Sequence, residues 1–275
     1  MKVGVVGLGL IGGSVAKAYK AAGYTVYGCD KDSAVQGYAK LEGTIDKELT
    51  AKSMQQCDII IVAVTPGAAR EYLAANASNI SAQAMVIDFC GTKRAVCSEA
   101  FALAAQHGFT FVGGHPMAGT QYSGYKYSRP NMFAGASFIM VPPVHDDIVL
   151  LDRVKQALAP LDFKKYIVTT AEFHDRMIAY TSQMCHVVSN AFVKSPSAQY
   201  HKGYSAGSFR DFTRVSRLNE NMWTELFLEN RENLLAELDL LISSLHQYRE
   251  AIAGDDAEAL CSLLRDGRVA KENIE

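Results

Sequence analysis

Through the first 168 residues, short β-branched runs alternate with longer stretches whose apolar residues recur at helical spacing. The runs at 3–6, 25–29, 59–64, 85–88, 110–113, 137–141 and 165–168 predict strands. Segments 11–22, 67–76, 94–106 and 147–159 predict the helices between them. Strands separated by helix-length segments build βαβ units around a mostly parallel sheet. Residues 58–64, DIIIVAV, are apolar at nearly every position, which suits a strand covered on both faces. Beyond residue 170 the strand signals stop. Thr170 predicts a cap for a helix beginning near Glu172, and 195–208 reads as a loop rich in Ser, Gly and Tyr. Phe227, Leu234, Leu238, Leu241, Leu245, Tyr248 and Ile252 then mark one apolar face of a single helix of about 30 residues, ended by Gly254. Such a stripe packs against other helices, and its length invites pairing between subunits.

Composition narrows the class without naming a function. A length of 275 residues favours two domains, and 49% hydrophobic residues can build sizeable cores. Lys and Arg total 27 against 29 Asp and Glu, so nothing suggests a nucleic-acid partner, which clustered positive charge would favour. Apolar runs are far shorter than the roughly 20 residues of a membrane helix, and no signal peptide is evident, so no membrane partner is expected. The six cysteines (29, 57, 90, 97, 185, 261) form no C-x-x-C pair or zinc-like spacing. They read as reduced thiols in a cytoplasmic protein.

Gly7-Leu-Gly9-Leu10-Ile11-Gly12 places G-x-G-x-x-G directly after the first strand and at the mouth of a helix. In that context Gly7 permits the tight turn, Gly9 admits a pyrophosphate and Gly12 allows close helix–strand packing. The helix N-terminus offers unpaired N–H groups to phosphate. Asp30 ends the second strand, about where a ribose-binding carboxylate belongs. The fold expected is α/β: an N-terminal Rossmann dinucleotide-binding domain over 1–168, followed by an all-α C-terminal domain over 169–275. A carboxylate at Asp30 would repel a 2′-phosphate, and Asp32 outweighs the offset from Lys31, so NAD is favoured over NADP. Leu10, Ile11, Thr65 and Thr92 are read as further cofactor contacts.

Substrate chemistry is concentrated in Gly113-Gly-His115-Pro-Met-Ala-Gly119-Thr120-Gln121, just after the fifth predicted strand. A histidine there can act as general base near neutral pH, with small neighbours leaving room for a ligand and Pro116 stiffening the turn. The ordinary alternative is a histidine that merely caps a loop.

At this point the sequence closely resembles the prephenate dehydrogenase family, which includes arogenate dehydrogenases. The shared segments are GLGLIGGS at 7–14, DIIIVAVTP at 58–66, GGHPMAGT at 113–120, EFHD at 172–175, FRDFTR at 209–214 and MWTELFLENREN at 222–233. The resemblance covers essentially the whole chain. It implies oxidative decarboxylation of a cyclohexadienol, with hydride passing to nicotinamide and carbon dioxide leaving as the ring aromatises. It implies His115 as the acceptor of the hydroxyl proton and Arg214 as the ligand of a substrate carboxylate, a task suited to its planar fork. By the same resemblance His186 helps hold the substrate, Trp223 walls the pocket, and Thr120 and Gln121 line it. Alternatives for these residues are an ion pair for Arg214, core packing for His186 and Trp223, and solvent exposure for Gln121. No metal is expected: aromatisation supplies the driving force, and the histidines form no metal-binding motif.

Two departures from the family pattern stand out. The D-x-x-S-x-K segment, whose serine hydrogen-bonds the catalytic histidine in many members, reads Asp88-Phe-Cys-Gly91-Thr92-Lys93 here, leaving Thr92 or a water to substitute. S-H-L-P-H reads Ser182-Gln183-Met-Cys-His186. Some members also carry an acidic residue where this chain has Gln121. A neutral amide suits the side-chain ketone of prephenate better than the ammonium of arogenate, so prephenate is favoured. A homodimer is expected from the apolar stripe and the resemblance, and neither a mutase domain nor a regulatory domain is expected. A β-hydroxyacid dehydrogenase is a competing reading, but Lys194, beside Ser195-Pro196, is poorly placed as its catalytic lysine. A noncatalytic NAD-binding protein is another, yet His115 and Arg214 are both retained.

Overall fold

Ile59, Ile60, Ile61 and Val62 are all buried, because helices cover both faces of the strand they form. In the computed structural model, which describes residues 1–120 and 122–274, this strand lies at the centre of an eight-stranded sheet. The first elements are β1 (Lys2–Val6), α1 (Leu10–Ala21), β2 (Thr25–Cys29), α2 (Ser33–Leu41), β3 (Lys47–Glu48), α3 (Ala51–Met54) and β4 (Ile59–Val62). They are followed by α4 (Pro66–Asn76), β5 (Met85–Asp88), α5 (Arg94–His107), β6 (Thr110–Pro116), β7 (Ser137–Val141), α6 (Ile148–Ala157) and β8 (Lys165–Val168). The strand order is β3-β2-β1-β4-β5-β6-β7-β8, parallel throughout except between β6 and β7. Ile59 and Ile61 enter one apolar core with Val15, Phe138 and Val154. Ile60 and Val62 enter the other, with Leu73, Val96 and Ala100.

The α/β architecture matches the sequence reading, with three local corrections. First, α2, β3 and α3 were not predicted. Asp32 caps α2 by accepting from Ala34 N–H, but only Ala39 of that helix is buried, so it has no apolar stripe to read. Second, β4 ends at Val62, two residues early. Third, β6 runs on to Pro116, so His115 stands on the strand, opposite Ile139 of β7, and not in a turn after it. Pro116, lacking an N–H, is accommodated as the last residue of the strand.

Beyond β8 the described residues form helices and turns but no strand: α7 (Ala171–Ile178), a π-helical turn (Ala179–Met184), α8 (Cys185–Phe192), α9 (Gly207–Thr213), α10 (Glu220–Glu229), α11 (Arg231–Ala253) and α12 (Ala257–Glu272). The segment 195–208, expected as a loop, holds instead a short 3-10 turn (Pro196–Tyr200) and the start of α9. Thr170 caps α7, accepting from Phe173 N–H at 3.2 Å. The single long helix expected through residues 227–252 is instead broken at Asn230. Asn230 is wholly buried, and its Nδ2 donates to the Asp175 carbonyl (2.7 Å) and Gln183 Oε1 (2.8 Å). Those bonds hold the residue at φ −107°, ψ 24°, outside helical geometry. No helix among the described residues is long and apolar enough to cross a membrane.

Candidate active site

Register sets the site. Val6 pairs with Val62, Val62 with Asp88 and Asp88 with Gly113. The segments that follow these four parallel strands therefore emerge on one edge of the sheet, where open α/β sheets bind ligands. After β1, Gly7 adopts φ +83°, and a Cβ there would lie 2.4 Å from Val64 Cγ1. A Cβ on Gly12 would meet the Gly7 carbonyl oxygen at 1.7 Å, so α1 approaches the loop as only glycine allows. Gly9 faces open space, and as N-cap it supplies no side-chain acceptor, nor does an acidic residue follow in the first turn. The first amides of α1, through half-buried Leu10 and Ile11, thus remain available to an anion, which fits a dinucleotide pyrophosphate. Asp30 is fixed beside them: Leu8 N–H donates to its Oδ2 at 2.6 Å and Asp32 N–H to its Oδ1 at 2.9 Å.

The other two residues read as cofactor contacts are engaged differently. Thr65 is the N-cap of α4 but makes no side-chain cap bond. That helix start is met by Glu225 of α10, whose Oε1 accepts from Gly67 N–H at 2.6 Å. Thr92 is buried, and its hydroxyl donates to Glu229 Oε2 at 2.6 Å. Burial pushes the Glu229 carboxyl up, against the hydrogen bond from Thr92. Thr92 is therefore not the partner of His115 in place of the family serine.

That partner is His174 of α7. His115 Nδ1 and His174 Nε2 lie 2.9 Å apart, and His174 Nδ1 lies 2.7 Å from Asp175 Oδ1. Asp175 also accepts from the Lys93 and Arg94 backbone N–H groups at 2.7 and 2.9 Å, capping α5, which has no side-chain cap of its own. Burial acts to raise the Asp175 carboxyl, but the bonds from His174 and these amides hold it below its ordinary value. Burial also holds His174 below the usual imidazole value, outweighing the adjacent Asp175. His115 is lowered further, by burial first and then by its neighbours His174 and Lys93. Beneath this chain the fully buried Lys93 ammonium pairs with Asp88, which also accepts from Cys90 and Gly114 N–H.

The helical half brings together three of the residues assigned to substrate. His186 stacks on Trp223 with ring centroids 4.0 Å apart, and the Arg214 charge helps lower its pKa, after burial. His186 Nδ1 lies 2.8 Å from the Ser182 carbonyl, one turn back beside the π-helical segment. Arg214 itself is exposed and lines a cleft of about 430 Å³ with Thr120, Tyr122, Tyr127 and Arg129. Gln121 lies outside the described residues. Sequence reading assigned no role to Arg129 or to the stacked Tyr122–Tyr127 pair (4.7 Å). EFHD was visible as a block, but nothing in it disclosed a bond to His115, 59 residues away.

The family model for the prephenate dehydrogenase nucleotide-binding domain matches residues 15–167, and that for the prephenate dehydrogenase dimerization domain matches 170–266. A prephenate dehydrogenase of Lactococcus lactis subsp. cremoris is 29% identical, over 100% of this chain and 77% of its own length. Among solved structures, prephenate dehydrogenase from A. aeolicus, in complex with hydroxyphenyl propionate and NAD+, superposes with a TM-score of 0.84 at 28% identity. That match covers 100% of this chain and 98% of the other. Synechocystis arogenate dehydrogenase superposes with a TM-score of 0.81 at 26% identity, covering 100% of both chains.

Proposed function

The chain belongs to the prephenate dehydrogenase family, and on that premise we propose that it catalyses NAD-dependent oxidative decarboxylation of prephenate to 4-hydroxyphenylpyruvate. The observation that carries this reading is the placement of His115 on the same sheet edge as the glycine-rich turn, with Nδ1 engaged by His174. Its Nε2 makes no hydrogen bond among the described residues and is left to receive the proton of the ring hydroxyl. A bound nicotinamide supplies the hydride acceptor. As hydride leaves the carbinol carbon, the O–H electron pair becomes the carbonyl bond and the proton passes to His115. Cleavage of the bond to the ring carboxylate then releases carbon dioxide, and its electrons aromatise the ring as the new carbonyl becomes a phenolate, which takes back the proton held by His115 to give the phenol and restore the base. Arg214 holds a carboxylate of the substrate, and His186, stacked on Trp223, closes the same side.

NAD is the cofactor expected: Asp30, held beside the glycine-rich turn by Leu8 and Asp32 N–H, is proposed to meet the ribose hydroxyls, and its carboxylate would repel a 2′-phosphate. The relative crystallised with NAD+ supports that choice. Prephenate is preferred to arogenate on the neutrality of Gln121. The cleft lining adds to the case, with two guanidinium groups, Arg129 and Arg214, and no carboxylate among its described residues. Such a lining suits a dianion over a substrate with an added ammonium. The helical half is proposed to form a homodimer, as the family description of residues 170–266 suggests. Following reduced-cofactor absorbance with prephenate and arogenate, each with NAD and NADP, tests the reading. The highest kcat/KM is expected for prephenate with NAD. Preferred turnover of arogenate would overturn the substrate assignment, and no turnover of either would overturn the function.

A further inference from the structure

His115 needs one tautomer to act as a base. Its Nε2 must hold a lone pair, so the ring proton must sit on Nδ1 and have an acceptor there. In this chain the position that carries a serine in many relatives is Gly91, which offers no side chain, and the Leu226 side chain packs against it: a Cβ there would lie 3.1 Å from Leu226 Cδ2. The position of the first family histidine is Gln183, buried and committed elsewhere. It donates to the Leu226 carbonyl at 3.0 Å and accepts from Asn230. Among the described residues, neither position supplies a hydrogen bond to His115.

We propose that His174 and Asp175 are the positioning pair that sets the tautomer of His115, taking the place of the absent serine. The inference rests on the dehydrogenase reading above. Asp175 is an acceptor at both oxygens, held by two backbone amides at the start of α5 and by His174 Nδ1. His174 must therefore direct its Nδ1 proton to Asp175. When neutral, it presents a lone pair at Nε2, and His115 donates its Nδ1 proton into it across 2.9 Å. Nε2 of His115 is left as the only basic site of the ring. When it takes the substrate proton, His115 becomes an imidazolium while its Nδ1–H stays on His174. One proton moves, and no second transfer along the chain is needed. The new positive charge is met by the His174–Asp175 dipole and opposed by buried Lys93, itself neutralised by Asp88. Arg94 Nε lies 3.6 Å from Asp175 Oδ2, which places a cation on the outer side of the carboxylate.

Nitrogen NMR of histidine-labelled protein reads the tautomer directly, with the His115 signals assigned by their loss in His115→Asn. The wild type is expected to carry the proton on Nδ1. In His174→Phe the proton should move to Nε2 and kcat should fall at least about tenfold, with the substrate KM within about twofold. His174→Gln, whose amide oxygen can accept the same bond, should restore the Nδ1 tautomer and most of kcat. A proton on Nε2 in the wild type, or an unchanged tautomer and kcat in His174→Phe, overturns the pairing. Should His174→Phe not fold, the tautomers of the wild type and His174→Gln decide the question alone. A wild type with the Nδ1 proton that oxidises neither prephenate nor arogenate instead overturns the dehydrogenase reading and leaves the pairing standing.

Discussion

At the scale of single residues, the base proposed above, His115, sits in an environment that dictates how activity should respond to pH. Burial and the neighbouring His174 and Lys93 oppose the imidazolium, so the neutral, proton-accepting form persists below the ordinary histidine value near 6.5. As the proposed base, His115 must be neutral to act, so activity should be lost as pH falls through the depressed pKa. The acid limb of kcat/KM is therefore expected below pH 6.5, as a macroscopic value shared with His174. His115→Asn should lower kcat by at least about 10²-fold with little change in NAD affinity, measured by steady-state kinetics and cofactor titration. Near-wild-type turnover would remove the residue from proton transfer. The histidine itself was legible because glycines and a proline surround it in a compact motif. Its partner was not, since the 2.9 Å contact to His174 is made by tertiary packing of α7 against the sheet.

At the scale of elements, strands buried on both faces announce themselves as unbroken apolar runs, which is why β4 was readable almost to the residue. Solvent-facing α2 and the two-residue β3 offered no such pattern. The break at Asn230 was hidden for the opposite reason. Phe227 and Leu234 keep helical spacing across it, and only the bonds from Asn230 to Asp175 and Gln183 interrupt the helix. The Lys93–Asp88 pair joins elements in the same way, fastening the segment before α5 to the end of β5, while Asp88 also holds β6 through Gly114. Removing one partner strands a buried charge. Lys93→Met is expected to destabilise the protein by about 3–5 kcal/mol, whereas Asp88→Asn/Lys93→Met together should cost clearly less. Urea denaturation of the three proteins checks this, and equal losses for the single and double variants would contradict it.

At the scale of the whole molecule, α11 and α12 leave apolar side chains in solvent. Leu240, Leu245 and Ile252 of α11 and Leu264 of α12 are each more than half exposed. Leu245 and Ile252 lie seven residues apart, on one side of α11. With the homodimer proposed above, Leu245→Arg/Ile252→Arg should shift the light-scattering mass at micromolar concentration from dimer to monomer. An unchanged dimer would place the interface elsewhere.

Two helices that border the cofactor edge begin on borrowed carboxylates. Glu225 of α10 receives the Gly67 amide at the start of α4, and Asp175 of α7 receives two amides at the start of α5. A cut near residue 168, where the composition changes, would leave both helices opening on bare N–H groups. Each lost cap costs about 0.5–2 kcal/mol. The seam drawn by composition is thus not a seam of cohesion. One half of the chain finishes the secondary structure of the other, and the nucleotide-binding edge attains its final form only when the helices behind it have docked.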